Sequence, residues 1–374
     1  MFPWLGAIAQ VELQNRNIQI SFRFFEIMII NLIFSQCMTM TSTVPISLTS
    51  LTLSALAIAV TSPAAAISLA TGYKYERFDI PGATFVTVNA IDNIGQIAGQ
   101  KAENSPATGF FVDSDGEVKF FNPPESYATA VWDMNDAGTI VGYSFRDDSF
   151  LKAEPYIYNG SQFYTPDLFP GSNFPDVEFS SINNAGQIVG FYYTDLFWNP
   201  YEVHGFLLNA ENFSTLSPDD VTPITIAGAS QIFPWGINDA GKITGHFNDT
   251  NGTHGFLLAG EQLTQLNIPG ADRTRPSAIN NKDSIIGVFT LPETGRNSYS
   301  FIWNNGQFQE LAFPNALSTR VLDINDTGVI VGRYQDADGK FYGFRATPVP
   351  EPSTVFALVG LGVVAFLGNR QKRL

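Results

Sequence analysis

Chemistry in this chain of 374 residues needs a nucleophile, an acid–base pair or a set of metal ligands, and few residues qualify. The histidines are His204, His246 and His254. Zinc and copper sites need imidazoles clustered with carboxylates or thiolates. His204 and His254 instead hold the same place in two copies of a repeat, which points to structural or surface roles. The one cysteine, Cys37, precedes the repeats, so no disulfide or thiolate chemistry is expected within them. No G-x-S-x-G pattern offers a nucleophile elbow for a serine triad. Two carboxylates could still cleave a glycosidic bond, one as acid and the other as base or nucleophile. Asp133 and Asp323 are the candidates, because both stand two positions before the Asn of a repeated phrase. Other copies have Ala90, Ser181, Gly236 and Ala278 there. Small or polar residues at that place also fit a crowded innermost strand. Asp113-Ser114-Asp115-Gly116 and Asp336-Ala337-Asp338-Gly339 look like pieces of a calcium loop. Both lack the further acid and the distal Glu and read as tight turns. The sequence implies no cofactor and no metal site, calcium being left open without a motif to support it, and the Asp-box of sialidases is absent.

The elements that must position these residues come from the repeat. A nine-residue phrase occurs as IDNIGQIAG (91–99), MNDAGTIVG (134–142), INNAGQIVG (182–190), INDAGKITG (237–245), INNKDSIIG (279–287) and INDTGVIVG (324–332). Its closing glycines lie 43, 48, 55, 42 and 45 residues apart, a spacing that marks a repeat architecture. Within the phrase, Asn and Asp bond their own backbone and Gly supplies positive φ, so it reads as a hairpin turn between apolar strands. Asp283 stands where the other copies have Gly, which leaves that turn's geometry open. Ahead of each phrase runs a strand ending in proline, such as Phe78-Asp79-Ile80-Pro81, Leu168-Phe169-Pro170 or Leu216-Ser217-Pro218. After it comes an aromatic strand, such as Gly109-Phe110-Phe111-Val112 or Tyr156-Ile157-Tyr158. A second turn, such as Asn304-Asn305-Gly306, returns to the next proline-ended strand.

Each unit therefore holds four short antiparallel strands, and no segment of the domain has helical periodicity. The expected fold is all-β: a six-bladed β-propeller of four-stranded blades spanning about 74–346. The last unit lacks its proline-ended strand, while a surplus one, Tyr75–Ile80, opens the repeats. That N-terminal strand is expected to join the last blade and close the ring. A solenoid is the alternative, and it would need capping units.

Net charge is −15. Without the two terminal segments, 15 basic residues face 32 acidic ones, or −17. Such a surface repels phosphate backbones, so nucleic acid is not an expected partner. Unit three carries the longest insertion after its phrase, Tyr192–Val203, and Trp198 and Tyr201 on it could stack on sugar rings. Asp219–Phe233 adds length in unit four.

Both ends carry addresses. Residues 51–60 form an apolar run of signal-peptide length, and Ala64-Ala65-Ala66 follows as a small-residue cleavage site marked by Ala64 and Ala66. Residues 1–66 are thus read as an upstream extension and signal peptide. At the C-terminus, Pro350-Glu351-Pro352 precedes an apolar run from Val355 to Leu367 and the basic Arg370-Gln371-Lys372-Arg373. Residues 348–374 resemble the PEP-CTERM sorting signal of bacteria that build extracellular polysaccharide. The resemblance implies processing by an exosortase-type membrane protease, transient membrane insertion, and delivery to the cell surface or beyond. The repeat units also resemble extracellular HAF repeats through His204-Gly205-Phe206 and His254-Gly255-Phe256, with Gly in place of Ala. That resemblance implies a secreted repeat protein and no established activity. The expected role is non-catalytic, binding or structural, with extracellular polysaccharide as the ligand class. A secreted glycan-cleaving enzyme is the alternative.

Overall fold

The computed structural model of the protein describes residues 68–70, 72–103, 106–150, 152–169, 176–194, 202–210, 212–292 and 298–349. Among these, regular structure is β-strand apart from short 3-10 turns. A short strand β1 (Ser68–Leu69) and β2 (Tyr73–Phe78) open it. Unit one then forms an antiparallel meander of β3 (Phe85–Ile91), β4 (Ile97–Ala102), β5 (Thr108–Val112) and β6 (Val118–Phe121). The next four units repeat it. Unit two has β7 (Ala128–Met134), β8 (Ile140–Phe145), β9 (Glu154–Tyr158) and β10 (Phe163–Tyr164). Unit three has β11 (Val177–Ile182), β12 (Gln187–Tyr193), β13 (Val203–Asn209) and β14 (Val221–Pro223). Unit four has β15 (Gln231–Ile237), β16 (Ile243–Asp249), β17 (Gly252–Ala259) and β18 (Gln262–Leu266). Unit five has β19 (Arg273–Ile279), β20 (Ile285–Thr290), β21 (Ser298–Asn304) and β22 (Gln307–Leu311). The last unit supplies β23 (Ser318–Ile324), β24 (Ile330–Gln335) and β25 (Phe341–Pro348). Its fourth strand is β2, which pairs antiparallel with β25 from Tyr73↔Pro348 to Phe78↔Gly343. The surplus N-terminal strand thus lies on the edge that its sequence register predicts. Among the described residues no sheet closes on itself.

The phrase forms its hairpin as its residue types require. The side-chain Oδ1 of its Asn or Asp accepts N–H groups two and four residues on, as with Asn183 from Ala185 (3.1 Å) and Gln187 (2.9 Å). The following Gly takes positive φ, as in Gly138 (75°) and Gly186 (79°). Asp283 adopts the same conformation at φ 61°. Asp tolerates left-handed geometry better than most residues, so the turn survives the substitution, and the carboxylate pairs with Lys242 at 2.6 Å. Proline-ended strands lead into a second kind of turn. In Ile80-Pro81-Gly82-Ala83, Gly82 has φ 87° and Ala83 N–H donates to the Ile80 carbonyl, as a turn with Pro second and Gly third requires.

Each first strand also carries a β-bulge, which the sequence reading did not contain. Register slips between Val88/Ala90, Val131/Asp133, Phe179/Ser181, Pro234/Gly236, Pro276/Ala278 and Val321/Asp323. Opposite the first residue of each pair sits the closing Gly of the phrase. A Cβ on Gly99, Gly142, Gly190, Gly245, Gly287 or Gly332 would overlap a carbonyl oxygen of the bulged strand. The glycine ending all six phrases is thus explained by close backbone approach.

The core lies between neighbouring units. Each unit fully buries at least one aromatic ring, including Phe110, Tyr156, Phe206, Phe256, Phe301 and Phe344. Clusters cross the seams, as where Ala90 and Ala98 of unit one meet Val131, Ile140 and Tyr156 of unit two. Each ring of this kind contributes roughly 1.5–3 kcal/mol by burial.

Two expected outer strands lie elsewhere. Leu216–Pro218 is not a strand. Phe213–Thr215 and Pro218–Asp220 are 3-10 turns, capped by Asn212 and by a capping box between Ser217 and Asp220. Ser-Pro-Asp-Asp is a helix-start pattern, and the edge strand forms after it, at β14. Asp219–Phe233 is therefore turn and strand rather than an inserted binding loop. In unit two the edge strand is Phe163–Tyr164, with Leu168 buried beyond it.

Candidate functional site

The six phrase turns meet around a small polar cavity. Two circuits of hydrogen bonds join them. In the first, the Asn amide of one unit donates to the main-chain carbonyl of the same residue in the next. The steps are Asn135→Asn183 (3.2 Å), Asn183→Asn238 (3.0 Å), Asn238→Asn280 (3.2 Å), Asn280→Asn325 (2.9 Å) and Asn325→Asp92 (2.9 Å). Unit one has Asp92, whose Oδ1 accepts from Ile94 and Gln96 like the others. Its Oδ2 is buried and has no hydrogen-bond partner.

The second circuit uses the next residue of each phrase, which alternates in chain order as Asn93, Asp136, Asn184, Asp239, Asn281 and Asp326. Each main-chain N–H donates to the side-chain Oδ1 of the following unit, and Asp326 donates to Asn93 at 2.8 Å, returning to the start. Each Asp Oδ2 accepts the amides of both flanking Asn residues, as Asp136 does from Asn93 (2.9 Å) and Asn184 (2.8 Å). Amides donate and carboxylates only accept, so alternation satisfies every partner, and two adjacent Asp residues would repel.

Below these circuits the bulges place Asp133, Ser181 and Asp323 on the cavity. Asp133 accepts from Ser181 Oγ (2.5 Å), Ile182 N–H (2.9 Å) and Met134 N–H (2.7 Å). Asp323 accepts from Ile91 N–H (2.8 Å) and Ile324 N–H (2.7 Å). Ser181 in turn accepts from Ile237 N–H at 3.2 Å. Each of these side chains bonds the main chain of a neighbouring unit. Burial pushes the carboxyl of Asp133 upward. Burial, then the charge of Asp133, pushes that of Asp323 well above the usual range. Asp92 is raised by burial too. The cavity measures about 70 Å³. That admits waters or a small ion, and falls well short of the roughly 300–1,000 Å³ of ordinary small-molecule sites.

The structure thus brings Asp133 and Asp323 together on one cavity. The sequence reading missed Asp92 and the alternating circuit. The signal for both was present, in the one Asp among five Asn and in the alternation itself. Trp132 and Trp235, each one residue before the Asp133 position of its unit, have ring centroids 5.0 Å apart, both half-buried. The Nε1–H of Trp132 has no partner. His246 is buried, accepts from Trp235 Nε1 through its Nδ1 (3.1 Å), and stacks on Phe233. Burial, then the nearby Arg275, holds its imidazole well below the usual pKa. His254 meets Asp249 at 3.2 Å and His204 meets Glu202 at 3.3 Å. Asp113 Oδ1 caps the N–H groups of Asp115 and Glu117, and Asp336 Oδ1 those of Asp338 and Lys340, so both Asp-x-Asp-Gly segments are tight turns. Trp198, Tyr201, Ala64, Ala66, Pro350, Glu351 and Pro352 lie outside the described residues.

Residues 348–373 match the PEP-CTERM protein-sorting motif. The motif marks an exported protein, anchored through its C-terminus in transit and processed by an exosortase, a membrane protease. Among the described residues no helix is long and apolar enough to cross a membrane. No curated protein matches the chain as a whole. Solved structures with similar backbones include a Trypanosoma rangeli sialidase, at 11% identity and TM-score 0.48, covering 79% of this chain and 62% of that one. A gluconolactonase from Xanthomonas campestris aligns at 11% identity and TM-score 0.45, covering 78% and 93%. A Penicillium chrysogenum alpha-L-arabinanase aligns at 12% and TM-score 0.43, covering 73% and 95%. The chain spans less than two thirds of the sialidase's length.

Proposed function

We propose that the exported protein is a closed six-bladed propeller with a non-catalytic role at the cell surface or in the matrix, where it binds extracellular polysaccharide. The sorting motif is the observation that carries the address. Closure is supported by the alternating circuit, because an Asn/Asp alternation returns to its start only over an even number of units. The pairing of β2 with β25 supports it as well. A signal peptide cleaved after Ala66 and the HAF-like character of the aromatic strands belong to the same reading.

The non-catalytic part is supported by the bonds of the candidate acids. Both oxygens of Asp133 and of Asp323 accept neighbouring N–H or O–H groups, and the cavity has no room for a sugar ring. Aromatic side chains suit the apolar faces of sugars. Trp198 and Tyr201 are one candidate platform, and the indoles of Trp132 and Trp235 are another. The competing reading is a secreted glycan-cleaving enzyme, which two half-buried carboxylates with raised pKa would suit.

A glycan-binding screen of the full chain, with and without calcium and with an assay for reducing-end release, tests both. Binding without release is expected, weakened by Trp198→Ala with Tyr201→Ala or by Trp132→Ala. Sugar release abolished by Asp133→Asn or Asp323→Asn would establish the enzyme instead. Absence of any glycan binding would leave a purely structural role.

A further inference from the structure

We propose that the central cavity is a calcium site whose anchor is the buried, unpartnered Oδ2 of Asp92. The first circuit supplies the geometry. In five units the atom at this place is an amide nitrogen, donating to the carbonyl of the next unit. In unit one it is a carboxylate oxygen, and a conformation equivalent to the other five would face it to the carbonyl of Asn135. Two acceptors facing each other need something positive between them.

The charge balance points the same way. Asp92, Asp133, Asp136, Asp239, Asp323 and Asp326 line the cavity, and no Lys, Arg or His does. Three of these acids stand on consecutive units six, one and two, Asp92 buried and Asp323 and Asp133 half-buried. The bonds of Asp133 and Asp323 are those of ionised carboxylates, since both oxygens of each accept main-chain N–H groups. Burial opposes that ionisation in both, and the charge of Asp133 opposes it further in Asp323. A bound cation resolves the conflict, letting the carboxylates stay charged and hydrogen-bonded.

The donor chemistry selects the ion. Asp, Asn, Ser181 and apolar residues line the cavity and no thiolate or imidazole does, so oxygen is the ligand atom on offer, which suits a hard cation. Among the described residues no three Asp, Glu, His or Cys side chains converge closely enough to share one metal. The remaining ligands are therefore carbonyls and waters. Calcium accepts that mixed, irregular set, whereas magnesium demands a near-ideal octahedron. Few direct carboxylates place the affinity at the weak end, on the order of 10⁻⁴–10⁻³ M, as in extracellular modules.

Thermal unfolding of the full chain tests this, in EDTA and in millimolar calcium, with magnesium and with sodium at matched ionic strength. The wild-type midpoint is expected to rise by roughly 2–5 °C in calcium and little in magnesium or sodium. Asp92→Asn restores the missing donor. It should unfold at or above the wild-type temperature in EDTA and show no calcium response. Equal calcium shifts in wild type and Asp92→Asn would place the ion elsewhere and overturn the proposal. A wild type indifferent to calcium, with a midpoint that falls from pH 4 to 8 only while Asp92 is present, would show a proton in the cation's place and overturn it too. Equilibrium dialysis of wild type with radioactive calcium is independent of the variant's folding. One ion per chain is expected, and none would end the proposal.

Discussion

At the scale of single residues, one substitution has opposite consequences at two nearby places. Asp323 accepts an N–H on each oxygen. Asparagine there would turn one acceptor into a donor facing a buried N–H. Asp323→Asn should therefore destabilise the fold by about 1–3 kcal/mol, read by urea denaturation, whereas Asp92→Asn supplies a donor where one is lacking. Equal effects at both places would mean that the matching of donors to acceptors does not govern the stability of this region. His246 supplies a pH test. Its folded pKa is lowered by burial, so its contribution is full above the unfolded value of about 6.5 and is lost as pH falls toward the folded one. Stability should decline on acidification below about pH 6.5, with a slope of at most about 1.4 kcal/mol per pH unit from this group. His246→Gln should remove that component, and an unchanged slope in the variant would assign it to other groups. Residue types made these sites only partly legible. Asp and Asn are interchangeable as turn formers because both present Oδ1 to the backbone, so a turn-based reading treats Asp92 as ordinary. Only the far atom differs, and its role depends on a partner 43 residues away at Asn135.

At the scale of the element, strand order followed from the pattern of turns and apolar runs, while edge strands and bulges did not. The phrase, its hairpin and the aromatic strand recur with near-constant spacing, so their pairing could be read directly. The edge strand of unit three was misplaced because Pro218 matched the proline expected at a strand end, while Ser217 and Asp220 used it to start a 3-10 turn. The bulge left a trace, since every phrase ends in glycine, but a glycine alone does not say whether it serves a turn or a close contact. Structure separates the two, and so would mutation. Gly138 has φ 75° and nothing within reach of a Cβ, so Gly138→Ala should cost about 1–2 kcal/mol from conformation alone. Gly142 faces the bulge, and a Cβ there would strike the Ala130 carbonyl. Gly142→Ala should cost about 3 kcal/mol or more, since the obstacle is backbone that cannot rotate away. Chemical denaturation of the two variants decides it, and similar losses would show that the bulge yields more readily than its geometry implies.

At the scale of the whole molecule, the folded repeats run directly into the sorting motif. β25 extends to Pro348, and the motif begins at the same residue. Val349 N–H donates to the Gly72 carbonyl at 2.6 Å, so the last described residue is still tied to the segment that leads into β2. Pro350-Glu351-Pro352 therefore follows a paired strand with no spacer between them. A membrane protease acting near that triplet would have to approach a sheet to within a few residues, or wait for its end to fray. Strand ends open at much lower free energy than the core, so fraying of the Tyr73↔Pro348 end is the expected gate. Inserting six Gly/Ser residues between Val349 and Pro350 should then speed processing, as followed by pulse-chase and the loss of the C-terminal segment in mass spectra. A destabilising change confined to β2, such as Tyr73→Gly, should act in the same direction. If neither alters the rate, processing precedes the pairing of β2 with β25. In that case the sorting machinery meets the motif before the sheet forms, and the absence of a spacer carries no kinetic consequence.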